Sequence, residues 1–455
     1  MARKNKITLV GAGPAGSLLA IYLARRGFAV EIFERRPDMR KVDVSAGRSI
    51  NLALSTRGLH ALREAGLFDH IMKIAVPMKG RMMHAVDGAL TFQRYGKDDS
   101  EVIYAVLRGE LNKALLAAAE RYENVEIHFN RRCTDMDFDT GEIELLDETN
   151  AHKTKIAAEV VIGTDGSASA IRFALQKAGR FNFSQEYLEH GYKELTIPAG
   201  AQGEFLLEKN ALHIWPRRTF MLIALPNTDG SFACIFFFPH TGEPSFARLS
   251  TAEKVLRFFQ EQFSDAVQVM PNLLPSYFAN PTGAMVTIRC APWHVGGKVL
   301  LLGDAAHAIV PFFGQGVNCA FEDCTVLDAC MDEFRGDWEE IFLKFEALRK
   351  ENTDAIADLA LENFIEMRDL VADPQFLLKK KVEQALQQRF PDIFIPKYAM
   401  VTFHRLPYAR ALAKGEIQDK ILEELCAAIT GVEELDWDKA GKLVRQELST
   451  NIVCL

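Results

Sequence analysis

Long apolar runs are missing from this chain. No stretch approaches the roughly 20 residues needed to cross a bilayer, and MARKNK leads straight into the apolar KITLV with no room for a cleavable signal segment. A soluble, cytoplasmic protein without a membrane anchor is the expectation. The eight cysteines (Cys133, Cys234, Cys290, Cys319, Cys324, Cys330, Cys426, Cys454) form no CxxC pair and no framework spacing, which argues for reduced thiols and against a zinc site. The eleven histidines include no HExxH or HxxxH pair, so no metal is expected. A GxSxG elbow is absent, which argues against a serine hydrolase. Nor does one sign of charge dominate: 53 basic against 61 acidic residues give a net charge of -8, too mild for a nucleic-acid partner and consistent with a small-molecule one.

What is present is 455 residues with 48% hydrophobic content, enough for two or three domains and a sizeable core. Periodicity and turn residues divide the chain into three zones. Residues 1–75, 101–180 and 286–336 alternate strand and helix signals and read as one discontinuous α/β domain. Within it a helix is expected from Arg108 to Tyr122, where Leu111, Leu115, Ala118 and Tyr122 recur at helical spacing, followed by strands in NVEIHF, GEIELLD and AEVVIGTDG. Residues 76–100, a short polar segment with Gly80, Gly88 and Gly96, and 181–285, with short β-rich runs such as NALHIWP, TFMLIALPN and SFACIFFFP, read as a second domain built on an antiparallel sheet. Residues 337–455 read as helical. No repeat or low-complexity tract appears.

The strongest motif is KITLVGAGPAGSLLAIYLARRGFAVEIFER, which sets Gly11, Gly13 and Gly16 at GxGxxG spacing between an apolar strand and an Ala/Leu-rich helix. Gly11 permits the tight turn, Gly13 lets backbone approach a pyrophosphate, and Gly16 allows close helix packing, while the helix N-terminus supplies partial positive charge. Glu34 ends the next strand, where a carboxylate can accept both hydroxyls of an adenosine ribose. The spacing therefore predicts a Rossmann-like dinucleotide site.

Two further motifs follow apolar strands: GTDG at 163–166 and GDAAH at 303–307, the latter running into VPFFGQGVN at 310–318. Together with GAGPAG and Glu34 they resemble the flavin-dependent aromatic hydroxylases of the p-hydroxybenzoate hydroxylase type, in the family's order over some 300 residues. The resemblance implies tightly bound, non-covalent FAD with NADPH and O2 as co-substrates. It implies cofactor contacts at Gly11, Gly13, Pro14, Ala15, Gly16, Phe33, Glu34, Arg35, Arg36, Ala53, Arg108, Cys133, Asp165, Gly166 and Asp304, and along Gly314, Gln315, Gly316, Val317 and Asn318. Read alone, Asp304 is also a helix N-cap, Asp165 an ordinary Asp-Gly turn and Arg108 a solvated helix-end arginine.

GRSINLALSTRG at 47–58, KGRMMH at 79–84, HGYKEL at 190–195, NALHIWP at 210–216 and IPKYAMVTFHRLPY at 395–408 resemble the branch of this family that hydroxylates L-kynurenine ortho to the aniline nitrogen, through a flavin hydroperoxide. That branch implies substrate contacts at Arg81 and Tyr95 for the carboxylate, at Asn363, Met367 and Tyr398, and at Leu212, Met221, Ile223, Phe237, Pro311 and Phe312 around the ring. It leaves Phe313 as packing behind Phe312 and gives no side chain an acid or base role. Without it, Arg81 reads as a surface arginine and the apolar residues as sheet core. The competing expectations are a related hydroxylase acting on another aromatic acid and a non-catalytic FAD-binding regulator. The WxWxIP stretch of flavin halogenases is absent.

Overall fold

The computed structural model describes residues 6–42, 51–177, 179–367 and 374–449. Cys454 and residues 47–50 of the GRSINLALSTRG block lie outside the described residues. Lys6–Val10 pairs in parallel with Ala29–Phe33 on one side and Val160–Gly163 on the other. Ile7 and Leu9 on one face and Thr8 and Val10 on the other are all buried, as a strand covered on both faces requires. Val125–His128 and Val299–Leu301 extend the array in parallel, and His294–Val295 ends it as an antiparallel edge. The helix Pro14–Arg25 crosses between the first two strands with proline at its start, where the missing N–H would have no intrahelical partner. The helix expected over 108–122 is Arg108–Ala119.

GEIELLD forms a strand but leaves this sheet. Glu142–Asp147 is the centre of a three-stranded antiparallel sheet between Arg131–Asp137 and Lys153–Ala157. Its alternating burial, unlike the continuous burial of Val160–Gly163, marks a strand with one wet face.

A second large sheet has seven strands in the order Gly283–Ala291, Asn182–Ile197, Phe232–Pro239, Met221–Pro226, Ala211–Pro216, Gly80–His84, Leu90–Arg94. The polar segment 76–100 thus contains a hairpin that completes this sheet, with Leu90–Arg94 as an exposed edge. All neighbours are antiparallel except Ala211–Pro216 and Gly80–His84, which run parallel. Gly283–Ala291 straddles the expected border at residue 285, pairing with Asn182–Ile197 on both sides of it. Phe236, Phe238 and Trp215 on one face pack against Ala252–Gln262 and Ser264–Gln268. Ile214, Met221, Ile235 and Phe237 belong to a different core, shared with Phe312 and Phe313.

The long helix Trp338–Ile365 starts at Asp337, whose side chain caps it by accepting from Glu340 N–H. Pro374–Arg389, Tyr408–Cys426 and Trp437–Ser449 build a small core of their own from Val382, Leu386, Ile421 and Val444. Lys397–Thr402 and Tyr408 turn instead toward the core around Phe312 and Phe313. Beneath them Arg349 donates to Asp323 and Glu322, each at 2.6 Å, Arg57 donates to Glu322 at 2.5 Å and to the Leu406 carbonyl, and His307 meets Asp323 at 2.7 Å. This buried network joins three helices to the turn after Val299–Leu301. Removing one partner from such a pair costs about 3–5 kcal/mol. Among the described residues no helix is long and apolar enough to cross a membrane, and the seven described cysteines are free and buried.

Candidate active site

The carboxyl ends of Lys6–Val10 and Val160–Gly163 open onto a cavity of about 320 Å³ whose far wall is the second sheet. At one end lie Gly13, Pro14, Ala15, Ala53, Arg108, Gly166, Asp304, Gly314, Gly316 and Val317. Gly11 has φ +103°, and a Cβ there would sit 2.6 Å from the Thr164 carbonyl oxygen, so its turn and its tight packing both demand glycine. A Cβ on Gly16 would strike the Gly11 carbonyl. At Gly13, by contrast, a Cβ would meet no atom within 4 Å. The chain's own packing leaves that space open, beside a helix start with no acidic residue in its first turn and no side-chain cap.

Arg108 and Asp304 both line this end with exposed side chains that have no protein hydrogen-bond partner among the described residues. Gly303, at φ +65°, occupies the N-cap position and Asp304 is the first helical residue, so the carboxylate is not used as a cap. Asp165 accepts from Ala170 N–H at 2.6 Å, but its Oδ1 is buried without a partner; burial raises its carboxyl above the ordinary range. A cation, a free carboxylate, an open glycine cradle and uncapped helix N–H groups form a donor and acceptor set that fits the pyrophosphate and sugar-alcohol chain of a flavin dinucleotide.

Other expected cofactor residues do not line this cavity. Glu34 accepts from Ala12 N–H at 2.9 Å and from Arg36 N–H and Nε–H at 3.0 and 2.8 Å; burial opposes its charge, and these hydrogen bonds hold the carboxyl below its usual range. Phe33 stacks on His128 at 4.9 Å, Arg35 and Arg36 are exposed, and Cys133 is buried with its thiol pushed up to about 12 by desolvation. Asn318 is a buried clip, accepting from Ser55 N–H at 2.8 Å while donating to the carbonyls of Ala53 and Gly314 at 2.7 and 2.8 Å. Gln315 accepts from the Tyr408 hydroxyl at 2.9 Å and so ties the glycine turn to a C-terminal helix.

The other end is apolar with one charge. Leu212, Ile223, Phe237, Pro311, Phe312 and Met367 line it, joined by Leu225 and Ile235. Phe312 stacks on Phe364 at 4.2 Å and tilts against Phe237 at 4.9 Å. Arg81 lies among these groups, its guanidinium carbon 4.9 Å from the Tyr398 ring centroid and 5.4 Å from that of Tyr95, with its Nε buried and unpartnered. Burial opposes the Arg81 charge, but the intrinsic basicity of a guanidinium and the nearby Glu366 carboxylate keep it cationic. Burial raises both phenols, which keeps Tyr95 and Tyr398 neutral hydrogen-bond donors.

Two expected substrate residues take other positions. Asn363 does not line the cavity: its amide donates to the Phe312 carbonyl at 2.7 Å and fixes the turn. Met221 is buried in the sheet opposite Phe237. Phe313, expected as packing behind Phe312, lines the cavity and stacks on Tyr398 at 5.4 Å. The sequence analysis missed Leu225 and Ile235, although each stands two residues from an expected wall residue and so shares its sheet face. Asn51, Leu52, Met78, Ile103 and Thr164 also line the cavity. No local pattern marks them, because they meet only through tertiary packing.

The FAD binding domain family matches residues 4–333. The kynurenine 3-monooxygenase of Myxococcus xanthus is 54% identical over 448 residues, covering 98% of this chain and 96% of the relative. That of Dictyostelium discoideum is 45% identical, covering 97% and 98%. Among solved structures, the tetrameric form of 2-methyl-3-hydroxypyridine-5-carboxylic acid oxygenase superposes with a TM-score of 0.67 at 20% identity, covering 83% of this chain and 96% of that one. Pseudomonas aeruginosa PqsL in complex with 2-aminobenzoylacetate gives 0.64 at 19%, covering 80% and 96%.

Proposed function

The chain belongs to the kynurenine 3-monooxygenase family, and from that premise we propose how its own residues serve the hydroxylation of L-kynurenine to 3-hydroxykynurenine with FAD, NADPH and O2. Bound FAD supplies the chemistry that reduces O2 and passes one oxygen atom to the substrate ring, the other leaving as water. Gly13, the start of Pro14–Arg25, Arg108, Gly166, Asp304 and the Gly314–Val317 turn hold it. The segments paired in the parallel sheet form the cofactor domain, and those of the seven-stranded sheet the substrate domain.

The observation that carries the substrate reading is Arg81, a half-buried guanidinium whose Nε is buried and unpartnered at the end of an apolar cavity. A cation so placed calls for an anion, and a carboxylate bound through charge-assisted hydrogen bonds gains about 1.5–3 kcal/mol net. Tyr95 and Tyr398, neutral and flanking it, add donors. With the carboxylate fixed there, the aniline ring lies between Leu212, Ile223, Phe237 and Phe312. The aniline lone pair activates the ring carbon ortho to it, and the apolar walls exclude water from that carbon. No described side chain facing the ring is an acid or base, so the protein's contribution is orientation and dryness. Seven buried free thiols support a reducing compartment, and we place the enzyme in the cytoplasm.

Replacing Arg81 by alanine is expected to weaken L-kynurenine binding at least about tenfold, from the net value above, with FAD still bound. A titration of the holoprotein followed by flavin absorbance reads this out, and unchanged affinity would remove the carboxylate assignment.

A further inference from the structure

The hairpin Gly80–His84 to Leu90–Arg94 carries Arg81, and Tyr95 follows directly from it. It joins the rest of its sheet through the one parallel pairing, in which Gly80, Arg81, Met82 and Met83 lie in register with Ala211, Leu212, His213 and Ile214. That parallel register stops at Met83; His84 still pairs with Leu90 inside the hairpin, but it meets the neighbouring strand through side chains. Its Nδ1 lies 2.6 Å from Asp265 Oδ2, its Nε2 lies 2.8 Å from His213 Nδ1, and its carbonyl accepts from Arg217 Nη1–H at 2.9 Å. The His84 ring stacks on Trp215 at 3.9 Å, and both histidines are buried. Arg81 and Leu212 line the cavity, so His84 and His213, at alternate positions on their strands, lie on the opposite sheet face.

The two rings bridge two fixed acceptors. At one end Asp265 accepts from Trp215 Nε1–H through both oxygens, at 2.9 and 3.0 Å, and at the other His213 Nε2 meets the Glu208 carbonyl at 2.9 Å. Desolvation pushes His213 down to about 4, which leaves it neutral. Burial works against the Asp265 charge, but hydrogen bonds from His84 and Trp215 hold its carboxyl below the ordinary range. The groups facing His84 are Asp265 from the short helix, His213 and Trp215 from the neighbouring strand, and Arg217 from the turn beyond it.

We propose that His84 is a positioning residue: clamped between Asp265 and His213, it pins the end of the strand that presents Arg81, so substrate affinity falls when that clamp is broken. This rests on the reading of Arg81 as the carboxylate partner. A strand end displaced by a fraction of an ångström misplaces the guanidinium, and misplacement on the 1 Å scale costs up to about a hundredfold.

The test is a titration of the FAD-loaded enzyme with 4-(2-aminophenyl)-4-oxobutanoate, which keeps the substrate's carboxylate and aniline but has no α-ammonium to titrate. Flavin absorbance gives Kd at pH 7, and steady-state turnover with L-kynurenine gives KM and kcat. His84→Gln should raise Kd and KM at least about fivefold while leaving kcat and FAD retention near those of the unaltered enzyme. Asp265→Asn, which breaks the clamp from its other side, should weaken binding in the same direction and decides the question alone if His84→Gln does not fold. Unaltered affinity in His84→Gln or in Asp265→Asn overturns the proposal, as does a loss confined to kcat. Arg81→Ala runs in parallel: normal binding by that variant removes the carboxylate reading itself, whereas weakened binding there with unaltered His84→Gln and Asp265→Asn removes only the role of His84.

Discussion

A Cβ at Gly16 would collide with the Gly11 carbonyl, whereas one at Gly13 would meet no protein atom within 4 Å. Two glycines of one motif therefore answer to different demands, and substitution separates them. Gly13→Ala should leave the thermal midpoint of the FAD-free protein near its original value but weaken FAD retention at least about tenfold, the effect of losing roughly 1.4 kcal/mol. Gly16→Ala should lower the thermal midpoint with or without FAD, through overpacking worth about 1–3 kcal/mol. Differential scanning fluorimetry with and without added FAD distinguishes them; equal destabilisation by both would show that Gly13 serves packing. At this scale the sequence was informative where chemistry is local, as in the glycine spacing, whereas Asp304 read alone as a helix cap and Arg81 as a surface arginine, and only the family resemblance pointed either of them at the cavity they line. Asn363 was not, because whether its amide meets a ligand or the Phe312 carbonyl depends on a turn 51 residues away.

At the scale of elements, strands buried on both faces announced themselves as apolar runs, while the hairpin around Gly80–His84 did not. Its outer strand Leu90–Arg94 is an exposed five-residue edge, and the short alternation of Leu90 and Phe92 with Thr91 and Gln93 is lost among the polar residues and glycines around it. The helix Gly316–Phe334 is held by buried charges that no periodicity reveals. Asp323 raises the pKa of His307 to about 10 despite burial, and is itself held below the usual carboxyl range although burial opposes this. A folded-state histidine pKa above its unfolded value gives stability that is complete below about pH 6.5 and is lost as pH rises toward 10. The lowered Asp323 gives stability present above about pH 4 and lost below it. The urea midpoint should therefore fall between pH 6.5 and 10, and His307→Gln should flatten that limb; an identical alkaline limb in the variant would show that the ion pair does not couple folding to pH.

Across the whole molecule, the cavity exists because two sheets of different construction face each other and a third unit closes over them. The parallel sheet presents strand ends and a helix start, the seven-stranded sheet presents a flat apolar face, and Lys397–Thr402 brings Tyr398 beside Phe313 and Arg81. Each contribution is legible along the chain, but their meeting is not: Met78 and Ile103 come from a small separate sheet, Leu225 and Ile235 from the large one, and Met367 from just beyond the end of Trp338–Ile365. In the function proposed above, this arrangement would orient an aromatic amino acid with its carboxylate at Arg81 and its ring toward the glycine turn of the cofactor end. The most direct test is turnover of the purified FAD-loaded protein with NADPH, L-kynurenine and ¹⁸O-labelled O2, analysed by mass spectrometry. One labelled oxygen atom in 3-hydroxykynurenine, with NADPH oxidation accelerated by L-kynurenine, is the predicted result; NADPH oxidation that ignores L-kynurenine, or product without label, would contradict it.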